Sequence, residues 1–286
     1  MPKLLFWLKV SRPGLWFPTI WLYLLPLGQT KDLSAIDFWL GLLFVAFPLN
    51  FLIYGWNDIV DYETDQLNPR KDSFLFGAKG SQEQLKSLPI VIFVTQVLAW
   101  PYFIWLVGSK MLFLMAILFL VLMAYNLPKR GLRNTPPLDL AAQFGYLLVV
   151  PFSLLVNDAA PLPYPTYFYL LLFAFQSQLI GEVMDIEPDR KAGRKTTATL
   201  LGMKWTKLLI ILFVALEVGL LVGVFGDYIF GGMLVLGLVW LLLDLFVIFK
   251  TQTYTLGQMR LFGVGSNVLA LGSMGYVWWS GCLLAY

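Results

Sequence analysis

The chain has 286 residues, of which 59% are hydrophobic and 16% aromatic but only 13% charged, and its mean hydropathy is +0.74. A chain so apolar is not an ordinary soluble domain and is predicted to be an integral membrane protein. The absence of histidine excludes imidazole metal sites and Ser-His-Asp hydrolysis, the single cysteine, Cys282, excludes an internal disulfide, and a net charge of +3 does not call for nucleic acid.

Nine apolar stretches are long enough to cross the hydrocarbon as helices. The first, at about 14 to 30, follows Lys3, Lys9 and Arg12 much as a signal peptide would, but Pro18 and Pro26 interrupt it and no small-residue cleavage site follows, so it is kept as span one. The second, at about 38 to 56, runs into NDIVDYETD, where the three- and four-residue spacings place Asp58, Asp61 and Asp65 on one helical face with Asn57 beside them. A long loop follows with Arg70, Lys71 and Lys79, and its SQEQLK segment reads as a short helix with Ser81 as N-cap and Gln84 completing a capping box. This loop is predicted to form a partly helical cap over the mouth of the bundle.

Spans three and four, at about 88 to 107 and 111 to 127, lead to AYNLPKR, where Tyr125 and Lys129 stand four residues apart. Span five, at about 138 to 156, and span six, at about 165 to 183, precede a second acidic segment, GEVMDIEPD, in which Glu182, Asp185 and Asp189 align by the same spacing rule. The densest basic run comes next, with Arg190, Lys191, Arg194 and Lys195. The last three spans are placed at about 206 to 225, 228 to 249 and 261 to 284. Within the spans, Asn50, Gln143, Tyr146, Gln176, Ser177, Gln178, Glu217 and Asp244 are polar groups at membrane depth, either functional or bonded between helices. Trp7, Trp16, Trp21, Trp278 and Trp279 read as interfacial anchors.

Nine spans sort the basic residues unevenly. Of 20 lysines and arginines only Lys31 and Lys110 fall opposite the N-terminal side, which leaves 18 with the N-terminus, so that side is read as cytoplasmic. Both acidic segments follow even-numbered spans and share this face. Residues 1–286 are read as one transmembrane domain with pseudo-repeat halves at about 1–137 and 138–260, and with cap loops at about 57–87, 128–137 and 184–205. The fold expected is all-α, with about nine transmembrane helices around a central cavity beneath a cytoplasmic cap.

Clustered carboxylates repel one another unless cations join them. Hard oxygen donors in this number suit Mg²⁺, which takes one or two carboxylates together with the phosphate oxygens of a substrate. Nearby lysines and arginines would hold the phosphate oxygens that the metal leaves uncovered.

Together, NDIVDYETD, the DIEPD core of the second segment, Tyr125 with Lys129 as a YxxxK element, and Arg12-Pro13 at the first span resemble the UbiA-type intramembrane prenyltransferase family, and the likeness covers most of the chain. Glu182 departs from it, standing where many members carry a further Asp. The resemblance implies Mg²⁺-dependent transfer of a prenyl group from a prenyl diphosphate to a hydrophobic acceptor within the membrane. It implies Asp58, Asp61, Asp65, Asp185 and Asp189 as catalytic metal ligands, with Glu182 as a further ligand. Substrate contacts would come from Arg12, Asn57, Arg70, Lys71, Tyr125, Lys129, Lys191 and Lys195. An aromatic, quinone-type acceptor is set first, with a carotenoid acceptor, as in lycopene elongation, a tetrapyrrole or a glycerol lipid as alternatives. Two other classes fit some features: a cation transporter or channel whose acidic rings select ions, and a non-catalytic isoprenoid-binding protein.

Overall fold

The computed structural model describes residues 3–29, 33–127, 131–141 and 143–285. Among these residues the chain is helical apart from loops and two isolated bridges, Ser73 to Gly77 and Cys282 to Ala285. The helices are α1 (Lys3–Val10), α2 (Phe17–Leu24), α3 (Ile36–Ala46), α4 (Pro48–Val60), α5 (Tyr62–Leu67), α6 (Gln82–Val107), α7 (Ser109–Asn126), α8 (Leu138–Ala141), α9 (Phe144–Leu147), α10 (Val149–Val156), α11 (Tyr164–Lys191), α12 (Thr197–Gly223), α13 (Tyr228–Leu243) and α14 (Leu256–Ser280).

Eight helical stretches among the described residues are long and apolar enough to cross a bilayer: α3 with α4, α6, α7, α8 to α10, α11, α12, α13 with its π-helical extension Asp244–Ile248, and α14. The protein is therefore a multi-pass membrane protein. The first expected span is made of short pieces, with the Gly14 N–H bonded to Phe74 O beside the acidic segments and the Gln29 N–H bonded to Trp278 O near the far end of α14. Phe17–Leu27 is apolar, but at about 16 Å it covers roughly half the hydrocarbon thickness. Pro18 sits in its first turn and Pro26 in a final 3₁₀ turn, so neither end propagates as a longer α-helix. α2 is nevertheless buried, packed against α3, α10 and α14. Trp21, expected as an interfacial anchor, lies inside, 5.2 Å ring to ring from Phe173.

Local signals set several ends. Pro48 stands at the start of α4, where its missing N–H costs nothing. Ser81 and Gln84 make the expected reciprocal bonds, at 3.3 and 2.9 Å, but this capping box opens the long helix α6 and not a separate cap helix. Before it come α5 and the irregular loop 68–80, which packs Leu75 against Gly14 and Gly263 and pairs Arg70 with Asp185. The core is aromatic: the Phe44 ring lies 5.0 Å from Trp100 and 5.1 Å from Phe152, while apolar side chains such as Leu98, Trp105 and Leu236 point outward, as a helix facing lipid allows. An apolar pocket lined by Phe44, Leu49, Trp100, Leu118, Val149 and Phe152 lies within this core.

Candidate active site

The first acidic segment straddles the junction of α4 and α5. Asp61 leaves helical geometry (φ −94°, ψ 12°), yet its N–H still reaches the Asn57 carbonyl at 2.8 Å and the Asp65 N–H reaches the Asp61 carbonyl at 2.8 Å. The helical register survives the break, so Asp58, Asp61 and Asp65 keep a common face. All three are buried. Buried carboxylates persist only with counter-charges, and each has one.

Asp58 Oδ1 accepts from Arg12 Nη2 and from Lys71 Nζ, both at 2.7 Å, and Lys71 also pairs with Asp65 Oδ2 at 2.6 Å. Arg194 Nη2 reaches both oxygens of Asp61, at 2.8 and 3.0 Å, and Arg133 pairs with the same carboxylate while donating to Asn57 Oδ1 at 3.2 Å. In the second segment, at the end of α11, Asp189 Oδ1 accepts from Arg194 Nη1 at 3.2 Å. Asp185 accepts from Arg70 and, at 2.8 Å, from Asn68 Nδ2. One guanidinium thus touches both segments, and the loop after the first segment reaches the second. Five cations (Arg12, Arg70, Lys71, Arg133 and Arg194) face five carboxylates, so the formal charge of the set is zero.

Backbone geometry places these cations. Arg12 sits at φ 53°, a left-handed conformation uncommon outside glycine, and its guanidinium lies 4.4 Å from the Tyr54 ring centre. Gly77, at φ 98°, packs directly on it: a Cβ there would lie 2.7 Å from Arg12 Nε. Gly193, at φ 71°, ends α11 as a left-handed cap, and the following N–H of Arg194 bonds back to the Asp189 carbonyl at 2.8 Å. Arg194 is thereby turned toward the carboxylates.

Burial pushes the Asp65 carboxyl up to about 6, with the nearby Lys71 cation opposing it. For Arg194 burial acts to lower the pKa, but Asp61 and Asp189 outweigh it and hold the guanidinium above its usual range.

At three of the selected residues the side chain points away from the paired carboxylates. Glu182 does not turn toward Asp185 and Asp189. Its Oε2 accepts the Ala198 N–H at 3.0 Å and its Oε1 accepts Gln178 Nε2 at 2.9 Å, while the neighbouring Asp139 accepts the Thr197 N–H and, at 2.7 Å, its hydroxyl. The free N–H groups at the start of α12 draw both carboxylates away. Lys191 and Lys195 are exposed and make none of the ion pairs at the mouth, because the turn at Gly193 directs Arg194 inward in their place. Lys129 lies outside the described residues. Tyr125 is within electrostatic reach of Arg194, Asp61 and Arg133, where a donor is useful.

Sequence reading missed Arg133, Arg194 and Asn68. Arg194 carried a signal, a glycine one residue before it and an acidic residue five before it. Arg133 carried none, being 72 residues from its partner Asp61. Of the polar groups inside the spans, Asp244 pairs with Lys207 at 2.7 Å and accepts from Tyr254 Oη at 2.7 Å, whereas both carboxylate oxygens of Glu217 are buried without a partner. Gln143 donates to Gln178, extending an amide chain to Glu182.

A helical membrane bundle carrying paired acidic segments at one end, each answered by cations from distant loops, offers charges of both signs to a ligand. The UbiA prenyltransferase family model matches residues 15–262, and the chain belongs to that family. The lycopene elongase/hydratase of Corynebacterium glutamicum is 28% identical over 214 residues, which is 71% of this chain and 72% of that protein. The lycopene elongase/hydratase of Haloferax volcanii is 29% identical over 205 residues, 66% of this chain and 64% of that protein. The fold is shared with a UbiA homologue from Archaeoglobus fulgidus solved with DMAPP and Mg²⁺, with a TM-score of 0.72 at 18% identity over 95% of this chain and 97% of that one.

Proposed function

We propose that this protein transfers a prenyl group from a prenyl diphosphate to a hydrophobic acceptor within the membrane, with Mg²⁺, and that the acceptor is a long linear polyene of the carotenoid type. The observation that carries the reading is the convergence of both acidic segments on Arg194. Two distant carboxylate sets and five cations meet at one mouth, as a metal-bound diphosphate requires.

The donor set fits the metal. Asp58, Asp61, Asp65, Asp185 and Asp189 offer hard oxygens, and Asp58 Oδ2 is buried with no partner. The carboxylates lie on two separate helix segments, so a metal there would need further ligands. That suits Mg²⁺, which completes its shell with substrate phosphate oxygens and water. When bound, Mg²⁺ supplies Lewis-acid stabilisation of the charge on the departing diphosphate.

The chain's own residues do the rest. Arg12, Arg70, Lys71, Arg133 and Arg194 hold the phosphate oxygens with charge-assisted bonds, and Tyr125 and Asn57 add neutral contacts. α5 and loop 68–80 shield the reacting centre from water. The donor chain would lie among the apolar side chains of the spans behind the mouth. The distribution of basic residues favours a mouth that faces the cytoplasm together with the N-terminus.

The carotenoid acceptor is favoured over the aromatic one by the relatives named lycopene elongase/hydratase. The test is mass spectrometry of products after purified protein is given Mg²⁺, prenyl diphosphates of several lengths, and lycopene beside aromatic acids. A prenylated polyene is the expected product. A prenylated aromatic acid in its place restores the quinone-type reading, and diphosphate-independent cation flux through reconstituted protein removes the transferase reading.

A further inference from the structure

We infer that Arg194 is an exchangeable bridge that makes binding of the divalent cation and of the diphosphate mutually dependent. Without ligands it ties Asp61 to Asp189; when both ligands arrive, its guanidinium passes from the carboxylates to the diphosphate. The inference rests on the prenyl-diphosphate reading and adds to it a coupling between the two ligands.

Three observations support it. Among the described residues, Arg194 is the cation paired with carboxylates of both acidic segments. Its side chain is 18% exposed, against 5% for Asp61 and 4% for Asp189, so it is the most accessible of the three groups. Its backbone is pinned on both sides. The Arg194 N–H bonds to Asp189 O at 2.8 Å, and two residues later Thr196 caps α12, with Asp139 and Glu182 holding the next N–H groups. The side chain can swing while the turn stays.

Electrostatics then dictates coupling. A divalent cation approaching Asp61 meets a guanidinium already bonded to both of its oxygens, and displacing that guanidinium leaves a cation in a half-buried site with only its longer bond to Asp189, at 3.2 Å. A diphosphate supplies the new partner, and a diphosphate alone finds the guanidinium occupied. Each ligand therefore lowers the cost of the other, and linkage makes the effect reciprocal. The neutral five-to-five set stays nearly balanced only when charges of both signs are added together.

Isothermal titration calorimetry on the full chain in detergent tests this with Mg²⁺, inorganic pyrophosphate, and the two together, corrected for the Mg²⁺–pyrophosphate complex formed in buffer. In the wild type, pyrophosphate is expected to raise Mg²⁺ affinity by about tenfold or more. In Arg194→Gln, Mg²⁺ alone is expected to bind about tenfold more tightly than to the wild type, and the enhancement by pyrophosphate to shrink several-fold. Arg194→Lys, whose compact charge cannot span both carboxylates, is expected to show a reduced enhancement and is the variant read if the glutamine form loses its thermal transition. Wild-type affinities and wild-type coupling in the folded variant overturn the inference alone. A wild-type protein that binds neither ligand in any combination overturns the diphosphate reading together with it.

Discussion

The mouth of the bundle and the space behind α11 both bury cations against carboxylates, but their connections differ. At the mouth, partners are shared and distant: Asp58 answers to Arg12 and Lys71, Lys71 to Asp58 and Asp65, and Arg194 to Asp61 and Asp189. Behind α11, where Val183 and Met184 form one wall, Lys207 pairs, among the described residues, with Asp244 alone, the Tyr254 hydroxyl donating to Asp244 and Lys207 donating to the Lys250 carbonyl. A shared network can trade one partner for a ligand without stranding a charge. A closed pair cannot, and its role is to join α12 to the turn after α13. Charge burial alone does not separate a binding site from a structural tie; the pattern of sharing does.

The comparison breaks most sharply at Asp61. Asp61→Asn is nearly isosteric but removes the charge that meets Arg194 and Arg133, and turnover is expected to fall by at least about a thousandfold while the circular dichroism spectrum is kept. Full activity in this variant contradicts the metal role. Next in size is Gly77→Ala. Its Cβ meets Arg12 Nε at 2.7 Å from a backbone at φ 98°, so the guanidinium must leave Asp58. A catalytic group displaced by about 1 Å costs on the order of a hundredfold in turnover. The check is steady-state kinetics beside Gly193→Ala, which strains a left-handed cap but meets no atom within 4 Å.

How far these outcomes were legible beforehand follows from the physics of each residue. The acidic faces could be read because helical spacing is local, and NDIVDYETD keeps its register even across the break at Asp61. The Ser81 cap was legible for the same reason, although where its helix ended was not. What could not be read is partnership: Arg133 to Asp61 and Arg70 to Asp185 join segments 72 and 115 residues apart, with no periodicity to announce them. Glu182 fits the acidic face by spacing, whereas the donors it meets at the start of α12 lie 16 residues away and gave no local sign. The first span was legible as an apolar crossing, but hydropathy did not show that Pro18 and Pro26 divide it into short helical pieces.

Glu182 supplies a smaller and sharper test. As a cap on α12 that steadies the turn carrying Arg194, its replacement by alanine is expected to cost about 1 kcal/mol of stability and to lower turnover about threefold. A loss of a hundredfold or more, with Mg²⁺ affinity falling in step, would return Glu182 to the ligand set. The readouts are a titration with Mg²⁺ and a denaturation midpoint measured on the same preparation.

Behind α11 the expected effect on turnover is the smallest. Lys207→Met leaves Asp244, which is 1% exposed, facing Tyr254 without a cation, and stability is expected to drop by about 3 kcal/mol. Adding Asp244→Asn removes the stranded charge, so the double variant is expected to recover most of that loss, since a buried pair contributes little beyond cancelling its own desolvation. Turnover per folded molecule is expected to stay within about twofold of wild type in both, because neither residue shares a partner with the mouth. Unfolding in detergent measured beside steady-state turnover separates the two quantities. If turnover falls more than tenfold while folded protein remains, the tie behind α11 reaches through Val183 and Met184 to Asp185, and the division between a shared network and a closed pair fails at that wall.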